Sequence, residues 1–208
     1  MRGDWAAREP KKRRRRYGRS RRRRRWGVLL LVALALVLLA LPYLLEAPEA
    51  LRRLAYPLRY EETIRAAAAE RGVEPALVAA VIRTESGFDP EVESSREARG
   101  LMQIQPVTAG FIAERGGVTG DYRDPKTNIR MGTWYLGYLQ GRYDGHERLV
   151  LAAYNSGEGQ VDAWISEKGF DIERDIPFAE TRAYVEDVLE ARATYVELYG
   201  ENLDRATS

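Results

Sequence analysis

The sequence predicts an all-α domain carried behind a single membrane-spanning helix. Three observations predict it. Residues 26–45 are twenty consecutive uncharged positions, long enough to cross a bilayer. Beyond residue 60, apolar residues recur three and four apart between Gly and Pro punctuation. No run of alternating β-branched residues occurs in that part of the chain. A length of 208 residues allows one globular domain with appendages.

The net charge of +2 averages two unlike parts. Residues 1–25 form a basic tail with fourteen Lys and Arg against only Asp4 and Glu9. Residues 46–208 carry nineteen basic and twenty-nine acidic residues, so the exported part is acidic and unsuited to binding polyanions. Between them, residues 26–45 would span about 30 Å as a helix. Trp26 and Tyr43 lie near its two ends, where amphipathic rings favour the membrane interface. The Arg runs at 13–16 and 21–25 precede the segment, which keeps the N-terminus cytoplasmic and exports everything after Leu45. A cleaved signal peptide fits less well. Its basic region would be too long, and Leu45-Glu46-Ala47 followed by Pro48 lacks the small residues of a cleavage site. A nucleic-acid role for the Arg tail is also weaker, because basic residues beside a span ordinarily set topology and touch anionic lipid. With no Cys, the exported domain relies on its hydrophobic core.

Residues 46–59 read as a short linker that could also lie on the membrane surface, with Pro48 and Pro57 and three Arg among Leu51, Leu54 and Leu58. Fully extended it would reach roughly 50 Å. The domain then occupies 60–208. A first helix is expected over 60–71, stopped by Gly72. Pro75 opens the next, with Leu77, Val78, Val81 and Ile82 as its apolar face and Gly87 and Pro90 as its end. Residues 89–99 are polar and loop-like. Further helices are expected at 106–115, 128–142, 146–155, 159–168 and 178–199.

Glu85 stands one turn beyond Val81, at the C-terminal end of the second of these helices. Its helix partners are apolar, which would raise its pKa toward a value useful to a general acid at neutral pH. No phosphate loop, Cys or His pair supports another chemistry. A single placed carboxylic acid points to glycosidic bond cleavage by one group that acts first as acid and then as base. Other candidates have plainer readings. His146 reads as a helix-start residue, and Asp89, Glu91 and Glu93 as a solvated loop in place of a metal site. Trp134, Tyr135 and Tyr138 read as core packing at helical spacing, as do Tyr184, Tyr195 and Tyr199. Gly116-Gly117 reads as a turn.

An ordered series of motifs goes further. Glu85-Ser86-Gly87-Phe88 is followed by Ser94 and by Gly100-Leu101-Met102-Gln103-Ile104-Gln105-Pro106. Asn128-Ile129 and Gly132 come next, then Ala153-Tyr154-Asn155-Ser156-Gly157 with Gly159 and Val161, and finally Ile176-Pro177-Phe178 with Glu180-Thr181-Arg182 and Tyr184-Val185. In this order and spacing, roughly residues 56–200 resemble the soluble-lytic-transglycosylase (SLT) type of catalytic domain, which cleaves the glycan strand of peptidoglycan.

The resemblance implies a goose-lysozyme-like helical fold. It implies Glu85 as the acid/base, Ser94 and Tyr154 as groups that orient it, Gln103, Asn155 and Glu180 as glycan contacts, and Met102 and Phe88 as cleft walls. The expected partners are peptidoglycan glycan strands and, through the N-terminal helix, the cytoplasmic membrane. No cofactor, metal or nucleic acid is expected, and the sequence names no cell-wall synthesis partner. Hydrolytic glycosidases generally use two carboxylates, whereas one motif carboxylate is supported here. The substrate's 2-acetamido group and 6-hydroxyl would supply the rest, giving a 1,6-anhydro product. The alternatives are a hydrolytic muramidase, which would hold a water on a second carboxylate, and a non-catalytic glycan-binding protein, which would need no acid.

Overall fold

The computed structural model describes residues 49–203. The expected membrane span at 26–45 and the basic tail lie outside the described residues. Among the described residues no helix is long and apolar enough to cross a membrane. The described residues all fall in one compact unit.

Eight helices are present among the described residues: α1 (Glu49–Ala55), α2 (Glu61–Arg71), α3 (Pro75–Ser86), α4 (Pro106–Gly116), α5 (Pro125–Arg142), α6 (Glu147–Ser156), α7 (Glu158–Ile165) and α8 (Ala179–Leu203). The only β pairing among them is two isolated bridges, Glu93 with Arg99 and Arg99 with Ile104. The all-helical expectation holds, with ends displaced by a few residues. The largest displacement is at α8, which runs on to Leu203 in place of residue 199, and α5 starts at Pro125 and not at residue 128. Asp124 is its N-cap, accepting a bond from Thr127 N at 2.9 Å, and Pro125 sits where its missing N–H costs nothing.

The core is built around α3. The sequence shows one apolar face, yet every residue from Ala76 to Ile82 is buried. Ala76, Ala79 and Ala80 fill the side opposite the large residues, so neighbours close around the whole helix. α8 packs most extensively against α3, presenting Val185, Val188, Ala191, Tyr195 and Leu198 along one buried stripe. α2 lies against α5, and α6 against α8.

Within the expected linker, residues 49–59 are folded onto the domain. From Glu49 the chain forms α1 and docks on the C-terminal half of α8. Arg52 pairs with the Glu197 carboxylate, and Arg53 donates to the Leu198 carbonyl at 2.8 Å. The Tyr199 and Tyr195 hydroxyls donate to the carbonyls of Tyr56 and Pro57, each at 2.9 Å. The partners are nearly 150 positions away, so nothing local in the sequence announces them.

The loop between α3 and α4 is held without regular structure. Ser86 Oγ donates to the Leu101 carbonyl at 2.8 Å. The fully buried Asn128 side chain accepts from Met102 N at 2.7 Å and donates to the carbonyls of Arg99 at 2.9 Å and Tyr122 at 2.7 Å. Gly132 lets α5 approach this loop, because a Cβ there would overlap the Met102 side chain. Three of the five described non-glycine residues with positive φ fall in this loop, Phe88, Glu97 and Gln103. Such clustered strain is common where a loop carries function.

Candidate active site

Glu85 lies in the last turn of α3, half-buried, where α3, α6 and α8 meet. Two causes would favour its neutral form. The enclosing apolar helix strips water from the carboxylate, and the partial negative charge at a helix C-terminus opposes a second negative charge. Its pKa is pushed up to about 7 by burial, with the Tyr184 hydroxyl acting in the opposite direction. No other carboxylate contributes to that shift.

Tyr184 comes from α8, and the sequence reading gave it no part in the site. Its hydroxyl is fully enclosed and makes no hydrogen bond of ordinary geometry. It lies beside Glu85, whose charge, after burial, holds the phenol well above its usual range. Tyr184 falls within the motif residues and is buried in the core as its helical spacing predicts; spacing alone does not reveal its place beside Glu85.

Tyr154, from α6, also neighbours Glu85, and its phenol is raised by burial and then by that charge. Its hydroxyl donates to the Met102 carbonyl at 2.9 Å. Ser94 Oγ accepts from the backbone N–H groups of Arg96 at 3.2 Å and Ala98 at 3.1 Å, closing a turn. Its hydroxyl proton is left free to donate. Among the described residues neither Ser94 nor Tyr154 hydrogen-bonds Glu85 in this geometry; both brace the loop that carries Met102 and Gln103.

Two hollows, of about 580 and 280 Å³, form a groove that Glu85 itself does not line; Tyr154, its neighbour, forms part of the wall of the smaller one. They meet at Arg96, Asn155 and Ser156. Tyr154 and Gln103 line the smaller hollow and the exposed Glu180 lines the larger. Gln103 donates through Nε2 to the carbonyls of Val92 at 3.0 Å and Gly100 at 2.9 Å, which leaves its Oε1 as an acceptor. Asn155 Oδ1 accepts from the Thr181 hydroxyl at 2.8 Å, tying α6 to α8 across the groove. Among the described residues Arg96 is the only Lys or Arg lining either hollow; the sequence reading did not single it out.

Two expected groove residues are placed elsewhere. Phe88 and Met102 are 0% exposed, so their side chains offer no surface to a ligand. Phe88 packs toward Tyr195, with ring centroids 6.3 Å apart, and Met102 packs against Gly132. Both are apolar residues next to polar motif positions, and the core claims them. The acidic loop is exposed as expected, with Glu93 paired to Arg99.

Residues 62–176 match the family described as the transglycosylase SLT domain, more than half of the chain. The chain belongs to the SLT transglycosylase family. Among its relatives is the soluble lytic murein transglycosylase of Escherichia coli K12, 33% identical over 156 residues, covering 70% of this chain and 24% of the relative. The membrane-bound lytic murein transglycosylase C of Yersinia pestis is 37% identical over 116 residues, covering 50% and 32%. This chain therefore spans about a quarter to a third of the curated relatives it matches. Among solved structures, the 70 kDa soluble lytic transglycosylase of Escherichia coli superposes with a TM-score of 0.66 at 34% identity, covering 73% of this chain and 26% of that one. The lytic transglycosylase Slt of Pseudomonas aeruginosa, solved as an inactive glutamate-to-glutamine mutant, gives 0.65 at 30% identity, covering 72% and 25%. The SLT match ends before α8. Tyr184 and Glu180 thus enter the site from beyond the matched residues.

Proposed function

We propose that this SLT-family chain is a membrane-anchored lytic transglycosylase that cleaves the MurNAc–GlcNAc bond of peptidoglycan and leaves 1,6-anhydro-MurNAc ends. The observation that carries the reading is Glu85: a half-buried carboxyl whose pKa burial pushes up to about 7, next to Tyr154 of the groove wall and without a second carboxylate acting on it. Both retaining and inverting hydrolases rely on a second carboxyl group within about 5–9.5 Å, close enough to perturb the first. The inactive glutamate-to-glutamine relative supports a single decisive glutamate.

Near neutrality a large fraction of Glu85 is protonated and can donate to the glycosidic oxygen. The bond from that oxygen to the anomeric carbon of MurNAc breaks, and GlcNAc leaves with a free 4-hydroxyl. The 2-acetamido oxygen of MurNAc stabilises the anomeric carbon. The Glu85 carboxylate then takes the proton of the sugar's own 6-hydroxyl, and O6 closes on the anomeric carbon. Glu85 ends protonated as it began, and no water is consumed. Because the nucleophile belongs to the substrate, proximity replaces a positioned water.

In this reading Tyr184 and Tyr154 set the field around Glu85, Ser94 supports its loop, and Gln103, Asn155 and Glu180 contact the glycan. The 26–45 segment holds the domain on the outer side of the cytoplasmic membrane, in keeping with a relative named as membrane-bound. Mass spectrometry of products from purified sacculi tests the proposal. Anhydro ends, one water lighter than reducing ends, are expected; reducing ends would identify a hydrolase.

A further inference from the structure

Helix α1 carries an apolar face that the fold leaves bare. Leu54 is 77% exposed and Leu51 55% exposed, and Leu54 is the most exposed large hydrophobic residue described. They are three positions apart, so they share one side of the helix. Looseness does not explain the exposure. α1 is clamped to α8 by Arg52 on Glu197 and by Arg53 on the Leu198 carbonyl, and the Arg53 guanidinium sits 4.6 Å from the centre of the Tyr199 ring. The tyrosine hydroxyls then fix Tyr56 and Pro57 just beyond it. The leucines are therefore held outward.

Chain length indicates what meets them. The uncharged stretch ends at Leu45 and α1 begins at Glu49, four steps apart, at most about 14 Å of extended chain. If 26–45 spans the bilayer, α1 must start within that distance of the membrane surface. Two leucines would hold a free protein only weakly. A tether this short makes their contact intramolecular, at high effective concentration. The exposed Arg59 follows on the same segment, a charge suited to anionic headgroups.

We propose that α1 is a membrane-surface contact, with Leu51 and Leu54 seated in the interfacial layer of the bilayer. This rests on the reading of residues 26–45 as a membrane anchor. It also assigns α8 a role as a strut. Thr181 borders the groove and Glu197 holds α1. Sixteen residues of helix separate them, roughly 24 Å. The cleft is thereby set at one distance from the surface contact.

The chain has no cysteine, so single substitutions label uniquely. Full-length Leu51→Cys, Leu54→Cys and, as a control at an exposed site, Lys168→Cys would each carry an environment-sensitive fluorophore. Each would be reconstituted in phosphatidylethanolamine–phosphatidylglycerol vesicles with and without doxyl-labelled lipid. Positions 51 and 54 should show blue-shifted emission that doxyl lipid quenches, and position 168 neither. Unchanged cleavage of soluble glycan strands checks that the labelled proteins are folded. If the protein floats with the vesicles while 51 and 54 stay as wet as 168, this proposal fails and the anchor stands. A blue shift that doxyl lipid leaves unquenched would put a protein, a second copy included, on the face and overturn it. A chain that does not float with vesicles removes the anchor and this proposal together, leaving the chemistry of Glu85 untouched.

Discussion

Glu85 is a weak surface acid in most sequence contexts, and here the fold makes it a neutral-pH acid. Its pKa of about 7 against 4.5 for an ordinary glutamate has a consequence for activity and another for stability. The donating form is lost as pH rises through about 7, so kcat/KM should fall on that side. For stability, the folded state holds more protons than the unfolded state between the two pKa values. Stability therefore declines as pH rises from about 4.5 to 7, by up to roughly 3 kcal/mol. Glu85→Gln should abolish cleavage, by at least the 10²–10⁴-fold or so expected of a general acid, while glycan binding persists. The same change should raise Tm at pH 8 and leave it nearly unchanged at pH 4, which calorimetry would show. A folded Glu85→Gln protein with near-normal turnover would remove the assignment. Tyr184→Phe deletes the hydroxyl that lowers the Glu85 pKa, so the alkaline limb of its pH–rate profile should move to higher pH. Tyr154→Phe leaves the Met102 carbonyl without that donor. It should reduce kcat more than affinity, on the scale of about 1–4 kcal/mol for a lost preorganised bond.

At the scale of elements, the loop from α3 to α4 presents Gln103 to the groove, and α5 holds that loop. Asn128 does most of this through three hydrogen bonds from a fully buried side chain. Asn128→Ala would leave the Met102 N–H and the Tyr122 carbonyl without these partners, while the Arg99 carbonyl keeps the Ile104 N–H. Each such group costs about 1–3 kcal/mol, so a loss of roughly 2 kcal/mol or more is expected, as a lower urea midpoint with an unchanged m-value. Activity should fall with it, since the displaced loop carries Gln103 and Ser94. An Asn128→Ala protein of native stability would show that the loop is held by other means.

For the whole molecule, the docking of α1 shortens the reach that the proposed anchor would allow the domain. A fourteen-residue linker would let the domain range about 50 Å. With α1 built into the domain, only Glu46, Ala47 and Pro48 lie between the apolar stretch and folded structure. If residues 26–45 anchor the domain as proposed, it should then meet membrane-proximal strands and miss distant wall. A soluble variant beginning at Glu46 should attack isolated sacculi more broadly than full-length protein in membranes, as judged by the spread of released anhydro-muropeptides. Equal patterns from both would show that the cleft, and not the anchor, selects the strand. Cell fractionation finding the native chain cut near residue 47 would remove the spatial argument and leave the catalytic one.

Helix type and order were legible because their determinants are local. Gly72 and Gly87 stop their helices through the left-handed φ values expected of them, and the 3.6-residue period marks each buried stripe. Glu85 was legible for the same reason: one turn past Val81 places it at a helix end beside apolar neighbours. Exposure, in contrast, depends on what a distant segment brings. Phe88 and Met102 sit among polar motif residues, yet the core closes over both. Arg52 and Arg53 resemble tether charges until α8 arrives with Glu197 and the Leu198 carbonyl. Tyr184, ninety-nine positions after Glu85, has the spacing of a core tyrosine, and only the packing of α8 on α3 sets its hydroxyl beside the acid. Local periodicity determines which face of a helix is apolar. Which neighbour covers that face, and which carboxylate loses its water, is decided by contacts between residues far apart in the chain.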